Sequence, residues 1–227
     1  MTGHDPDRLE VAEILREASA LIGAHPLAFV LATAIYVMFG IWIEDQDASW
    51  SAQVTMAVAP VVLQGFLQYL LLRQAFSDSA RGVTVRLLAP FIVIMLQLGL
   101  WTMLGLGYIL LLVPGLYLAA RTSAALGMAT VEGTGLFASL AGSWHRTRRA
   151  VWPLAMVHAI LLFPVVALLV GLAVATAVEY HLTYESIEFT VFANLGFGVI
   201  TMAGWAVAGA AYRLTLPSHR MHEDVFG

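Results

Sequence analysis

The chain has 227 residues, of which 60% are hydrophobic and 11% charged, and its formal net charge is −4. A soluble domain carries roughly 45–50% apolar and about 25% charged residues, whereas six bilayer-crossing helices of about 20 residues each take up about 120 apolar positions. The composition excludes a soluble enzyme domain, a disordered chain and a nucleic-acid binder, and it predicts an all-α polytopic membrane protein.

Two residue types are missing altogether. Without cysteine there are no disulfides, no thiolate catalysis and no Cys-based metal or iron–sulfur site. All 11 basic residues are Arg, so Lys-dependent chemistry is excluded as well. The Ala-rich, Arg-for-Lys usage suggests a GC-rich bacterial genome. Residues 1–23 carry seven charges and no apolar core, so no signal peptide is expected and the first span should stay as a permanent anchor.

In chain order, residues 5–23 predict an amphipathic helix. Asp5-Pro6 supplies a cap, Asp7 and Glu10 resemble a capping box, and Val11, Ile14, Leu15, Ala18, Leu21 and Ile22 recur at helical spacing. Such a helix either lies flat on the membrane or packs on the protein's own cytoplasmic loops. Spans follow at 26–43 and 54–72, the second with Pro60, Gln64 and Gln68. The apolar stretch 87–131 predicts two spans in a tight hairpin, turning either at Gly105-Leu106-Gly107 or at Pro114-Gly115. Residues 132–151 form a polar loop. It is amphipathic, with Phe137, Leu140, Trp144 and Val151 on one side, and with Arg146, Arg148 and Arg149 it offers a basic surface. Spans at 152–178, kinked at Pro164, and at 190–212 complete the set.

The Arg residues orient the bundle. Ten of the eleven fall in segments that share one side if there are six spans, and the loops 44–53 and 179–189 hold no Arg and six acids. Both termini are therefore expected in the cytoplasm of a bacterium, with the chain multi-pass in its inner membrane. The expected organisation is a cytoplasmic or interfacial helix over 1–25, a six-helix transmembrane domain over 26–212, and a cytoplasmic tail over 213–227.

The run Pro26-Leu-Ala-Phe-Val-Leu-Ala32 matches Pro153-Leu-Ala-Met-Val-His-Ala159 at five of seven positions. Each run follows an amphipathic segment and opens a span. Either this is an internal repeat, as in many transporters, or it is a short match in a chain rich in Ala, Leu and Val.

Arg121 is the most informative single residue. A charge inside an apolar arm costs at least about 2.5–3.5 kcal/mol at mid-helix. Its guanidinium is expected to meet a carbonyl, an acidic side chain, water or a lipid phosphate. Glu132 shares its helical face but sits about 16 Å along the axis, too far for a direct pair. Arg121 is either a site for an anionic headgroup or substrate, or a structural Arg that snorkels to an interface or bonds to backbone freed at Pro114-Gly115. Arg146, Arg148 and Arg149 are the further candidates for lipid or anion binding. His145 and His158 have no ligand neighbours at metal spacing, so no metal site and no cofactor is expected. Gln64, Gln68, Gln97 and Asn194 can hydrogen-bond across helices or line a pathway. Gly196, Gly198, Gly204, Ala206, Ala208 and Ala210 give the last span a small face, for packing within the bundle or in a homodimer. No catalytic motif is present.

Arg81-Gly82, Val113-Pro-Gly-Leu-Tyr-Leu118, Arg121, Val131-Glu-Gly133, Ser139-Leu140, Ser143-Trp144 and Trp152 occur in this order. This pattern resembles the bacterial six-helix membrane proteins related to the membrane domain of glycerophosphoryl diester phosphodiesterases, the YciC-like proteins among them. The resemblance covers most of the chain and implies a bacterial inner-membrane location. The catalytic phosphodiesterase domain has no counterpart here. The expected function is a non-enzymatic scaffold or accessory subunit that binds membrane lipid, another membrane protein or a second copy. A small transporter or channel with a site near Arg121 is the alternative, and a lipid-modifying enzyme is the third.

Overall fold

An apolar run that lacks water to bond to can satisfy its backbone only internally, and each long apolar run of this chain is helical. A computed structural model describes residues 9–44, 50–76, 88–110, 112–178 and 187–216. The protein is all-α, with no strand among the described residues. Its helices are α1 (Val11–Ala24), α2 (Pro26–Glu44), α3 (Trp50–Ala75), α4 (Ala89–Leu110), α5 (Leu112–Thr122), α6 (Ala125–Gly127), α7 (Leu136–Arg146), α8 (Val151–Val178) and α9 (Ile187–Leu214). A π-helical turn, Met128–Glu132, follows α6, and a 3₁₀ turn, Thr147–Arg149, follows α7.

Several boundaries differ from the sequence expectation. The first helix begins at Val11 rather than at residue 5, because Glu10 is its extended N-cap and Leu9 turns in to pack on the core. Glu10 makes no side-chain cap hydrogen bond, and Asp5, Pro6 and Asp7 lie outside the described residues. Neither expected turn interrupts a helix: Gly105-Leu106-Gly107 lies within α4 and Pro114-Gly115 within α5, and position 111 between these helices lies outside the described residues. The loops expected outside the membrane fall largely on residues 45–49 and 179–186, and most of the tail on 217–227, outside the described residues.

Two elbows organise the rest. Residues before proline avoid the helical region; His25, with φ −131° and ψ 49°, ends α1, and Pro26 opens α2 at 88° to it. The segment Leu136–Arg149 likewise meets α8 at 102°, with Pro153 in the first turn of α8. The two matching sequence runs thus occupy the same place at two elbows.

The amphipathic arms pack in opposite ways. α1 buries Ile14, Ala18 and Leu21 against α8 and α9, so its apolar stripe is covered by the bundle rather than by cytoplasmic loops. α7 turns its hydroxyls inward: Ser139, Ser143 and Thr147, at i, i+4 and i+8, are fully buried, while Phe137 is 80% exposed. The expected apolar side of 136–151 is therefore split: Phe137 and Trp144 are exposed, Leu140 packs on a core, and Val151 is buried at the start of α8.

One core joins α1, α2, α8 and α9 around Ile14, Leu154, Val157 and Trp205. A second joins α3, α4 and the segment 124–129 around Val93, Leu96 and Met128, with Tyr212 of α9 closing it. Much of the small face of α9 packs inside the chain. A Cβ on Gly198 would lie 3.3 Å from Tyr36 of α2, and one on Gly209 would lie 3.0 Å from Leu21 of α1. Gly204 faces open space. Among the described residues Val191–Leu214 is long and apolar enough to cross a membrane alone; counting each elbow pair as one span raises the number to 3.

A Cβ on Gly127 would come within 2.5 Å of Cβ and Cγ of Tyr212, atoms too close to the backbone to swing aside. Gly127→Ala is expected to lower stability by about 1–3 kcal/mol through overpacking. Gly23→Ala, where nothing lies within 4 Å, should be neutral or gain up to about 1 kcal/mol. Thermal unfolding in detergent, followed by circular dichroism, checks both; equal melting points for the two variants would refute this packing.

Candidate functional site

A broken helix exposes carbonyl and N–H groups that need partners. α5 ends at Thr122, and the turn at Ser123-Ala124 leaves the Arg121 carbonyl and the Ala124 N–H without helical bonds. Both are met from α7. The Ser143 hydroxyl donates to the Arg121 carbonyl at 2.9 Å and accepts from the Ala124 N–H at 3.2 Å. The Thr147 hydroxyl reaches the same carbonyl at 3.2 Å and the Ser143 carbonyl at 2.8 Å. These bonds explain why Ser143 and Thr147 face inward; Ser139 is bonded instead to Thr134 and Gly135 at the start of α7.

Docking α7 this way sets Trp144 over Arg121. The guanidinium carbon lies 4.4 Å from the Trp144 ring centroid and 5.9 Å from that of Tyr117. The two rings meet edge to face at 5.8 Å and 78°. Arg121 is 8% exposed, and its Nε has no hydrogen-bond partner. Its partners within the protein are thus aromatic faces, a class absent from the sequence expectation. No freed carbonyl at Pro114-Gly115 serves it; the backbone break lies after Arg121, and its acceptor is taken by hydroxyls. A desolvated cation over a Trp face gains about 2 kcal/mol or more, which offsets much of the charge's burial.

Glu132 does not pair with Arg121, as its distance along the helix predicts. It ends the π-helical turn, and the turn closes on Gly133 at φ 62°, a left-handed conformation that favours glycine. Arg146 grips Glu132 with both terminal nitrogens, at 2.7 and 3.1 Å. Tyr212 donates to the same carboxylate at 3.1 Å and stacks edge to face on Phe76. The anion that Arg146 meets is therefore the protein's own.

Of the four expected site residues, Arg121 and Arg146 lie on opposite ends of one α7 clasp. Arg148 and Arg149 stand exposed in the 3₁₀ turn beyond it. The sequence reading missed Tyr117 as a partner, although its i−4 spacing from Arg121 is a usable signal. Trp144 could be paired with Arg121 only through the fold. Elsewhere, His158 Nδ1 shares a 2.8 Å hydrogen bond with the Leu154 carbonyl of its own helix. The buried oxygens Gln68 Oε1, Gln97 Oε1 and Thr130 Oγ1 have no hydrogen-bond partner.

No family model, curated protein or solved structure matches the chain. Of the residues quoted for the pattern above, Tyr117, Arg121, Glu132, Ser143 and Trp144 take part in the contacts of this clasp.

The Glu132–Arg146 pair is about one-sixth exposed on each side chain. Glu132→Ala and Arg146→Ala should each cost roughly 1–3 kcal/mol, because each takes a bidentate, charge-assisted partner from a part-buried group. The double variant should cost less than their sum, with a coupling of about 0.5–3 kcal/mol. Melting curves of the three variants measure this, and strict additivity would show that the pair contributes nothing.

Proposed function

We propose that this protein is a multi-pass component of a bacterial inner membrane, with six transmembrane helices and both termini in the cytoplasm. In this reading it is a non-enzymatic scaffold or accessory subunit, and the Arg121 clasp receives the headgroup of an anionic lipid. The observation that carries the reading is a buried guanidinium held by two ring faces, with an unpartnered Nε and no carboxylate against it among the described residues. A carboxylate partner would cancel the charge; ring faces hold it in position and leave its net charge uncancelled. Tyr117 and Trp144 are each about 40% exposed, and the exposed Arg148 follows close behind, so a lipid phosphate at the bilayer surface has several groups to meet. Tyr and Trp with Arg are also the residue types that favour a membrane interface.

Helix lengths support the membrane reading. α2 has 19 residues and α3, α4, α8 and α9 have 22 to 28, enough at 1.5 Å per residue to approach or exceed a hydrocarbon core of about 30 Å. The resemblance to the YciC-like proteins points to the same location, and a lipid-modifying enzyme has that resemblance alone behind it. A transporter or channel is favoured by one separate observation, the three unpartnered oxygens of Gln68, Gln97 and Thr130. Solute flux in proteoliposomes that disappears in Gln68→Leu would favour that alternative.

Reporter fusions after Asp47 and after Glu185 should read periplasmic, and a cytoplasmic reading at either site breaks the six-span arrangement. Arg121→Leu and Trp144→Leu should still insert but retain several-fold less co-purifying anionic phospholipid, measured by mass spectrometry after mild-detergent extraction. Unchanged lipid in a stably folded Arg121→Leu variant removes the site.

A further inference from the structure

α7 carries an outer stripe opposite the hydroxyls. Phe137, Ala141 and Trp144 recur at helical spacing and are exposed, and the exposed Arg148 continues the line into the 3₁₀ turn. α1, the arm of the other elbow, has no exposed large apolar side chain; Arg16, Ser19, Ala20 and Gly23 are exposed on it instead. The outer stripe of α7 joins the apolar flank of α5. The Trp144 ring meets the Tyr117 ring edge to face at 5.8 Å, and Tyr117 lies one turn beyond the exposed Val113. One exposed apolar surface thus runs from α5 onto α7.

The chemistry of the exposed side chains changes at the second elbow. His145 and Arg148 are exposed before it. After it come Trp152, Met156, Ile160, Phe163 and Val166, all exposed at helical spacing in a helix without a charged residue. A charge is costly in hydrocarbon and an exposed apolar face of this length is costly in water. In the membrane reading the hydrocarbon boundary therefore lies between Arg148 and Met156, which sets Trp152 at the level that Trp favours. A span leans on average about 20° from the bilayer normal, so the segment Leu136–Arg149, set at 102° to α8, lies close to the membrane plane. Residues 133–178 contain no acid, so each charge at this elbow is an Arg and complements an anionic surface.

We propose that α7 lies flat in the headgroup layer of an anionic leaflet, with Phe137 and Trp144 reaching into the acyl chains and Arg148 at the phosphates. The inference rests on the membrane reading above and not on headgroup binding by Arg121. Interfacial helices sink their apolar face about 5–10 Å into this layer. The surface that covers the outer stripe is then the same lipid that surrounds the exposed face of α8, and the two arms differ in function: α7 sits in the leaflet, and α1 turns a polar back to water.

The chain has no cysteine, so nitroxide labels can be placed one at a time. Phe137→Cys, Ser19→Cys and Phe163→Cys put a label on the outer stripe of α7, on the outer side of α1 and on α8 about 16 Å past Trp152; all three side chains are exposed, so each variant should keep the fold. The full chain is placed in vesicles of phosphatidylethanolamine and phosphatidylglycerol, and collisions with oxygen and with a water-soluble nickel chelate are read by electron paramagnetic resonance. The label at 137 should meet nickel several-fold less often than the label at 19, and oxygen less often than the label at 163. Nickel contact at 137 equal to that at 19, with 163 shielded, overturns the placement and leaves the membrane reading standing. Oxygen contact at 137 equal to that at 163 overturns it as well, because the helix is then buried below the headgroups. Spin–spin broadening at 137 that unlabelled chain dilutes away shows a second copy on this face and also overturns it. Nickel contact at all three positions overturns both the placement and the membrane reading.

Discussion

The interrupted helix after Arg121 is the constraint on which the arrangement around it depends. Apolar surroundings supply no water to complete a broken ladder, and each orphaned backbone group there costs several kcal/mol. Two hydroxyls from α7 answer the break, and their reach fixes where α7 lies. Once α7 is fixed, Trp144 covers the guanidinium and Arg146 meets Glu132. The Glu132 carboxylate in turn takes the Tyr212 hydroxyl, which ties the end of α9 to the same frame. A local backbone defect is thereby converted into a tertiary junction among α5, α7 and α9.

The two elbows give the bundle two different kinds of attachment. α1 docks by its apolar stripe on α8 and α9, and the ion pair of Glu17 with Arg213 at 2.8 Å fastens its outer edge. That pair is about half exposed on the Arg side and contributes little beyond orientation. α7 docks by hydrogen bonds to a carbonyl and an N–H. Equal placement in the sequence pattern, each arm before a proline-led apolar run, thus hides unequal chemistry. The match between the runs at Pro26 and Pro153 extends to the elbow and not to the way each arm is held.

The helices were legible because apolar runs and helix lengths follow from the same physical demand. The run 26–43 became Pro26–Glu44, and 152–178 became Val151–Val178. Faces were less legible. The apolar residues of α7 divide, with Leu136 and Leu140 packed on a core and Phe137 exposed, and Ser143 and Thr147 turn inward because the break they face needs hydroxyls. Arg121 announced itself as a charge in an apolar arm, and Tyr117 was within reach of helical spacing. Trp144 and the Glu132–Arg146 pair lie 23 and 14 positions away from their partners in the chain, and no periodicity connects them.

The hydroxyl face of α7 has a mechanical consequence. Burial of apolar surface holds α1 in place, whereas α7 adds to the packing of Leu136 and Leu140 on the second core the bonds that Ser143 and Thr147 make to the Arg121 carbonyl. Whatever shifts α7 therefore acts at once on the hydrogen bonds that complete the backbone at Arg121 and on the Trp144 ring over its guanidinium.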